Sequence, residues 1–165
     1  MALEKYKKKR KFQKTPEPKA SAKIKSQSRF VVQKHSASHL HYDFRLELPA
    51  SPKAWLGGPD QIIKGPVVLK SWAVPKGIPV SAGIKHLAVA VEDHPVDYIN
   101  FHGIIPKGNY GAGIVEIWDK GKFKLIEAGP KSLKFELKGK VLKGKYVLFN
   151  LKGKNWLIFK INPNL

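Results

Sequence analysis

The stretch Arg29-Phe30-Val31-Val32-Gln33-Lys34-His35-Ser36-Ala37-Ser38-His39-Leu40-His41-Tyr42-Asp43-Phe44-Arg45-Leu46-Glu47-Leu48 holds three of the chain's six histidines. Its second half alternates strictly. His41, Asp43, Arg45 and Glu47 take the odd positions, and Tyr42, Phe44, Leu46 and Leu48 the even ones. Successive side chains on a strand point to opposite faces, so this pattern predicts a strand with four ionisable groups on one face and an apolar set packing a core on the other. Lining up such a row is costly unless the row holds something.

Working outward, Arg29 to Gln33 reads as a strand, and the serine-bearing segment from His35 to Leu40 as a loop or single turn before the alternating strand. Residues 49–66 carry Pro49, Pro52, Gly57-Gly58-Pro59 and Gly65-Pro66 and read as irregular. Further strands are expected at Val67–Val74, His86–Glu92, Ile114–Trp118, Phe123–Ile126, Leu133–Leu137, Lys145–Leu151 and Trp156–Ile161. Asp119-Lys120-Gly121-Lys122 reads as a tight turn, and Lys-Gly-Lys turns are expected at 138–140, 143–145 and 152–154. In the His86 strand, Leu87, Val89 and Val91 form the expected apolar face. His86, Ala88, Ala90, Glu92 and His94 form the other, where two alanines would leave room for a ligand. Many short strands about ten residues apart, with few helical stretches, make the fold mainly β, an antiparallel barrel or sandwich.

The 165 residues form one domain with 42% apolar content, enough for a real core. A net charge of +19 points to an acidic partner, of which nucleic acid is the commonest. There is no cysteine, so disulfides and thiolate metal sites are excluded. No signal-peptide pattern and no apolar run of membrane-spanning length occurs, so a cytoplasmic protein without membrane partners is expected. Residues 1–28, with the run Lys5-Tyr6-Lys7-Lys8-Lys9-Arg10-Lys11, read as a basic, partly disordered N-terminal arm, and residues 29–165 as the folded domain. Phe12 and Glu17 stand out in the arm as docking points. Of the 31 basic residues only Arg10, Arg29 and Arg45 are arginines, whose planar forks suit bidentate contact with phosphate or carboxylate.

His35, His41 and Asp43 make a donor set of two imidazoles and a carboxylate, suited to Mn2+ and also open to Zn2+. His41 and Asp43 share a strand face, and His35 reaches them if the loop folds back. The plainer reading is two surface histidines and an ion-paired aspartate. His39 falls in the loop and is left out of the set. Arg45 beside a metal would clamp a phosphate, or else pair with Glu47 across the row, in which case Glu47 orients it. His94 is a catalytic or phosphate-binding imidazole, or a cap on the turn at Pro95. The loop Gly108-Asn109-Tyr110-Gly111-Ala112-Gly113 is followed by no crossover helix and reads as a hairpin rather than a dinucleotide site.

These pieces also carry a family resemblance. Phe30-Val31-Val32-Gln33-Lys34-His35-x-Ala37-x-x-Leu40-His41-Tyr42-Asp43-Phe44-Arg45-Leu46-Glu47 closely resembles the signature of the 3′-phosphoesterase domain of bacterial DNA ligase D. The likeness continues through Ser71-Trp72-Ala73-Val74-Pro75-Lys76-Gly77, Val91-Glu92-Asp93-His94-Pro95-Val96-Asp97-Tyr98, Ile105-Pro106-x-Gly108-x-Tyr110-Gly111-Ala112-Gly113 and Trp118-Asp119-x-Gly121. It implies a single small antiparallel β-barrel and an Mn2+-dependent enzyme, with Zn2+ or Co2+ as other ions, that heals DNA 3′ ends. A phosphodiesterase step would remove a terminal ribonucleoside, and a phosphomonoesterase step the remaining 3′-phosphate, leaving a 3′-OH on a primer-template. By resemblance His35, His41 and Asp43 are the metal ligands, and Arg45 and His94 sit on the scissile phosphate. Gln33, Glu92 and Tyr98 support the site, while Arg10 and Glu17 complete it from the arm. The family usually has an acidic residue directly after that arginine, where this chain has Lys11. A separate DNA ligase and a Ku protein are the partners this role implies in trans. The competing readings are a non-catalytic basic nucleic-acid-binding barrel with a structural His/Asp/Arg network, and a metal-dependent esterase for small phosphates.

Overall fold

The computed structural model describes residues 3–20, 27–55, 66–129 and 131–163, with the side chains of 53 and 54 left aside. Among the described residues nine strands follow one another as β1 (Arg29–Ser36), β2 (Leu40–Pro49), β3 (Val67–Val74), β4 (Lys85–His94), β5 (Gly103–Ile105), β6 (Gly113–Ala128), β7 (Ser132–Lys138), β8 (Lys143–Lys152) and β9 (Asn155–Lys160). Neighbours run β1-β2-β3-β4-β9-β8-β7-β6, and β6 pairs back onto β1. Eight antiparallel strands thus close a barrel, and β5 adds to the first residues of β6. Closure removes the sheet edges, and eight strands enclose a space that side chains can fill.

The even residues of β1 and β2 fill that space. Phe30, Val32, Phe44, Leu46 and Leu48 meet Trp72, Phe135, Tyr146, Leu148 and Ile158 in the interior core. The odd residues face outward, where β1, β3, β5 and β6 carry a second core. There Val31, Leu69, Ile105 and Val115 pack under Tyr6, Tyr98, Ile99 and Phe101. Tyr6 lies in α1 (Glu4–Lys8), and Tyr98 in a 3-10 turn over Val96–Asn100. The arm's residues 3–20 therefore lie against the barrel. Full burial of Tyr6, on the order of 2 kcal/mol, fastens them there, and its hydroxyl donates to the carbonyl of Pro18. Residues 21–26 and most of the turn-rich stretch expected at 49–66 lie outside the described residues. Among the described residues no helix is long and apolar enough to cross a membrane.

Three expectations are corrected. First, β6 runs unbroken through 119–122. Asp119 is buried there to accept the backbone N–H groups of Lys140 and Leu142 at 2.9 and 2.8 Å. Gly121 allows close approach, since a Cβ would stand 2.3 Å from the Lys138 carbonyl oxygen. Asp and Gly here receive the β7–β8 hairpin instead of making a turn. Second, residues 143–145 open β8.

Third, the faces of β4 are reversed. Ala88 and Ala90 point into the barrel, and Leu87 is exposed. Ala90 stands opposite Trp72 and Ala88 opposite Trp156, so the small side chains make room for two indoles, whose rings meet edge-on at 5.7 Å. A bulge supplies the reason. Ser71 pairs with Val91 and Leu69 with His94, two steps on β3 against three on β4, and the extra residue brings His94 back to the outer face.

Ala88→Leu is therefore expected to overpack the interior and cost about 1–3 kcal/mol in chemical denaturation. A side chain facing open ligand space would be accepted without loss.

Candidate active site

The register of β1 on β2 sets Gln33 opposite Asp43 and His35 opposite His41. His35 is thus a strand residue and not part of a loop, and the outer face of two adjacent strands presents Gln33, His35, His41, Asp43 and Arg45 together. His35, His41, Asp43 and Arg45 form the floor of a cleft of about 280 Å³, walled by Arg10 and Glu17 of the arm, Glu92 and His94 of β4, Tyr98, and Tyr110-Gly111 of the β5–β6 turn, while Gln33 lies buried beside Arg45 without lining it. His39 does not line it. The glycine-rich loop is the expected turn: Asn109 and Ala112 donate back to the carbonyls of Pro106 and Asn109, and Gly108 and Gly111 have positive φ.

Ligating atoms of His35, His41 and Asp43 lie within 4.8 Å of one another. His35 Nε2 is 2.7 Å from the Gly111 carbonyl oxygen and His41 Nδ1 is 3.1 Å from that of His39. A carbonyl only accepts, so each of these nitrogens carries its ring proton. In the neutral rings the other nitrogens, Nδ1 of His35 and Nε2 of His41, then point lone pairs at the Asp43 oxygens, at 3.4 and 3.3 Å. With both rings neutral three acceptors converge, and a cation bound between them, or a proton taken up on His41 Nε2, relieves the repulsion. Two atoms bound about 2.0–2.2 Å from one ion stand roughly 3.0–3.5 Å apart at right-angled to tetrahedral geometry, so the donor set fits a divalent metal. The backbone carbonyls fix ring tautomer and orientation, as the outer partners of metal-binding histidines do. Burial alone would raise the Asp43 pKa; Arg45 foremost outweighs it and holds the carboxyl well below the usual range. A proton on His41 Nε2 would instead be hydrogen-bonded to Asp43, which raises the pKa of His41.

Arg45 is buried and oriented by Gln33, whose Oε1 accepts from Nε at 2.7 Å. The Gln33 amide is itself fixed, donating to the carbonyls of Tyr98 and Phe101 at 2.8 and 3.0 Å. The remaining guanidinium nitrogens reach His94 Nδ1 at 3.2 Å and Asp43 at 3.5 Å. Glu47, expected to orient Arg45, is engaged by Arg29, which donates to it from the backbone N and from Nε at 3.2 and 3.0 Å. The cause is register: Arg29 stands nearby as β1 begins, while Gln33 lies closer to the Arg45 head.

His94 sits between two guanidiniums. Arg10 Nη2 lies 3.2 Å from Nε2, and the Glu92 carbonyl oxygen 2.9 Å from Nδ1. A proton on Nδ1 and a lone pair on Nε2 satisfy both of these contacts, and Arg45, itself a donor, then makes no hydrogen bond to Nδ1; the other tautomer would satisfy Arg45 alone. Burial first, then Arg45 and Arg10, push the His94 pKa well below its ordinary value, so the ring is neutral.

The arm brings Arg10 and Glu17 to the cleft. Glu17 accepts from Arg10 Nε at 2.9 Å and from the Tyr98 hydroxyl at 2.6 Å, and Thr15 donates to its other oxygen at 2.9 Å. Arg10 also approaches Glu92 at 3.5 Å and lies over the Tyr6 ring at 4.0 Å. Burial raises the Tyr98 pKa further above its ordinary value, so that hydroxyl remains a donor. Lys11 is exposed and does not line the cleft.

Several contributors were not singled out from sequence. Tyr6 packs edge-on against His94, Lys9 pairs with Glu92 at 3.1 Å, and Tyr110 and the Gly111 carbonyl close one wall. Lys9 is indistinguishable in a lysine run. Tyr6, the one aromatic within that run, was the available signal.

A family model for the DNA Ligase D 3′-phosphoesterase domain matches residues 60–150. The multifunctional non-homologous end joining protein LigD of Pseudomonas aeruginosa is 42% identical over 170 residues, 96% of this chain and 18% of that protein. The protein of the same name from Mycolicibacterium smegmatis is 40% identical, covering 94% of this chain and 20% of its own length. The multifunctional non-homologous end joining DNA repair protein LigD of Mycobacterium tuberculosis is 38% identical, at 96% and 20%. The chain thus spans about a fifth of the length of these curated relatives.

The neutral His94 makes a pH prediction. The unfolded chain takes up a proton on this residue near pH 6.5 and the folded chain does not, so the contribution is fully present above that pH and is lost as pH falls below it. The slope is at most about 1.4 kcal/mol per pH unit. Denaturation of the parent and of His94→Gln between pH 7 and 5 is expected to show the shallower loss in the variant.

Proposed function

Because the chain belongs to the DNA ligase D 3′-phosphoesterase domain family, we propose that it is a metal-dependent phosphoesterase that heals DNA 3′ ends. It first removes a 3′-terminal ribonucleoside, as water attacks phosphorus and the P–O5′ bond to that nucleoside breaks. It then removes the 3′-phosphate to leave a 3′-OH. One observation carries the reading: in a single cleft, two imidazole lone pairs and a carboxylate converge beside two buried guanidiniums and a neutral histidine. His35, His41 and Asp43 would hold the ion, Mn2+ by preference, with Zn2+ or Co2+ also suited to this donor set. Bound there, it would supply a Lewis acid for a non-bridging phosphate oxygen.

The chain's own groups do the rest. Arg45, held by Gln33, presents fixed positive charge where negative charge grows in the transition state, which lowers the barrier more than it tightens ground-state binding. Arg10, held by Glu17, faces the same space from the arm and binds the phosphate from the other side. An entering phosphate competes with His94 for Arg10. Once Nε2 is freed beside an anion, the imidazole gains affinity for a proton and donates it to the phosphate or to the leaving oxygen. Tyr98 keeps its hydroxyl on Glu17 and is a positioning residue. Glu92 balances the cationic wall through Lys9 and Arg10. The partner is a DNA primer-template bearing a 3′-ribonucleotide or 3′-phosphate. The healed 3′-OH is what a DNA ligase joins, so a ligase and an end-binding Ku protein are the proteins this role calls for.

The test is a primer-template ending in one ribonucleotide, incubated with and without Mn2+. Ribonucleoside release followed by a 3′-OH product is expected with the ion and not without it, and turnover of a chromogenic small phosphate is expected to be poorer. His41→Ala and Asp43→Ala are expected to lose about a hundred- to a thousandfold in rate, on the scale of removing a group that stabilises transition-state charge. Near-normal release by either variant contradicts the ligand assignment. Metal-independent binding without turnover supports a non-catalytic barrel.

A further inference from the structure

Outside the cleft, the outer surface carries one row of cations that the site does not use. Arg29 stands opposite Lys122, Lys122 opposite Lys138, and Lys138 opposite Lys143, on the four adjacent strands β1, β6, β7 and β8. At about 4.8 Å per strand the row is roughly 14 Å long. The three lysines are exposed, and among the described residues none is in ion-pair contact with a carboxylate; Lys122 Nζ donates only to the Gln27 carbonyl oxygen. Arg29 alone is paired, with Glu47.

Like charges directly opposite on neighbouring strands destabilise a sheet. The next rows along β6 and β7 avoid this. Glu136 stands between Lys124 and Lys145, and Glu127 opposite Lys134. Acidic residues are thus available on this face and are placed to neutralise the neighbouring rows, while this one is left cationic. Its Arg29 end lies two residues along β1 from Val31, the partner of Arg45, so the row leads away from the cleft.

We propose that the row Arg29–Lys122–Lys138–Lys143 is a track for the sugar-phosphate backbone of the DNA upstream of the 3′ end seated at Arg45. The inference rests on the phosphoesterase reading for the identity of the polyanion. The lysines contact phosphates and carry no base specificity, so they add affinity and salt dependence alike for all sequences.

The experiment measures binding, without metal or turnover, of a labelled blunt DNA duplex with 3′-OH ends over a range of salt concentrations. It compares the parent, the row triple variant Lys122→Gln/Lys138→Gln/Lys143→Gln, and a charge-matched control, Lys131→Gln/Lys152→Gln/Lys154→Gln, whose exposed lysines lie off the row. Each phosphate contact contributes about 0.9 to the slope of log affinity against log salt, so the row variant is expected to lose about 2.7 from that slope, and at least tenfold in affinity at low salt. The control is expected to keep a slope within about one unit of the parent. Thermal unfolding of the row variant is expected at or above the parent's midpoint, because repulsion is relieved. Equal losses in both variants, which mean diffuse attraction only, overturn the proposal, as does displacement of the DNA by polyglutamate at equal charge concentration. A chain that binds through the row yet never turns over a 3′ end refutes the phosphoesterase reading and leaves the track standing.

Discussion

The antiparallel register between β1 and β2 is the constraint on which the rest of the molecule depends. Side chains alternate with period two, so a slip of one residue would carry His41, Asp43 and Arg45 into the barrel and Phe44 and Leu46 out of it. Phe30 and Val32 on one strand, and Phe44 and Leu46 on the other, prevent this by filling the same interior. The apolar half of the alternation thus positions the polar half. Closure onto β6 adds a second lock, since β1 is paired on both sides along its whole length.

Burying Arg45, Arg10, Asp43, Glu17 and Glu92 around one cleft is costly unless each is paired and hydrogen-bonded. The network meets that demand from three directions: the Gln33 amide beneath Arg45, Tyr98 and Thr15 around Glu17, and Lys9 beside Glu92. His94 remains neutral because burial, and then the two guanidiniums that flank it, disfavour its charged form. At the meeting point of His35, His41 and Asp43, the neutral rings add two lone pairs to a carboxylate that Arg45 approaches at 3.5 Å. The arm matters for the same reason. Without residues 3–20, the second core would lose Tyr6 and the cleft would lose the partners of Tyr98 and His94.

How far the sequence showed this depends on how local each cause was. The face of His41, Asp43 and Arg45 follows from period-two alternation within one strand; the many short strands marked the fold as mainly β but left barrel and sandwich open, because closure of β6 onto β1 is a long-range pairing. His35 is harder to place, because Ser36, Ala37 and Ser38 read as loop while pairing of His35 and Ser36 with Val115 and Ile114 holds them in β1. The reversed faces of β4 come from a bulge against β3, which alternation along β4 alone cannot reveal. Glu47 was read against its neighbour Arg45, whereas its partner Arg29 is eighteen residues away and is brought near by register. Asp119 and Gly121 carry turn composition, but their cause is the hairpin they receive.

The central claim is that fixed tautomers at His35 and His41 aim two lone pairs at Asp43 to hold one divalent cation. Its most direct test is titration of Mn2+ into the metal-free protein, followed by the electron paramagnetic resonance signal of the free ion. The account predicts that one ion per chain is taken up, and that Asp43→Ala abolishes this uptake while the variant remains folded. Uptake at the same stoichiometry and affinity by Asp43→Ala, or none by the parent, would contradict it.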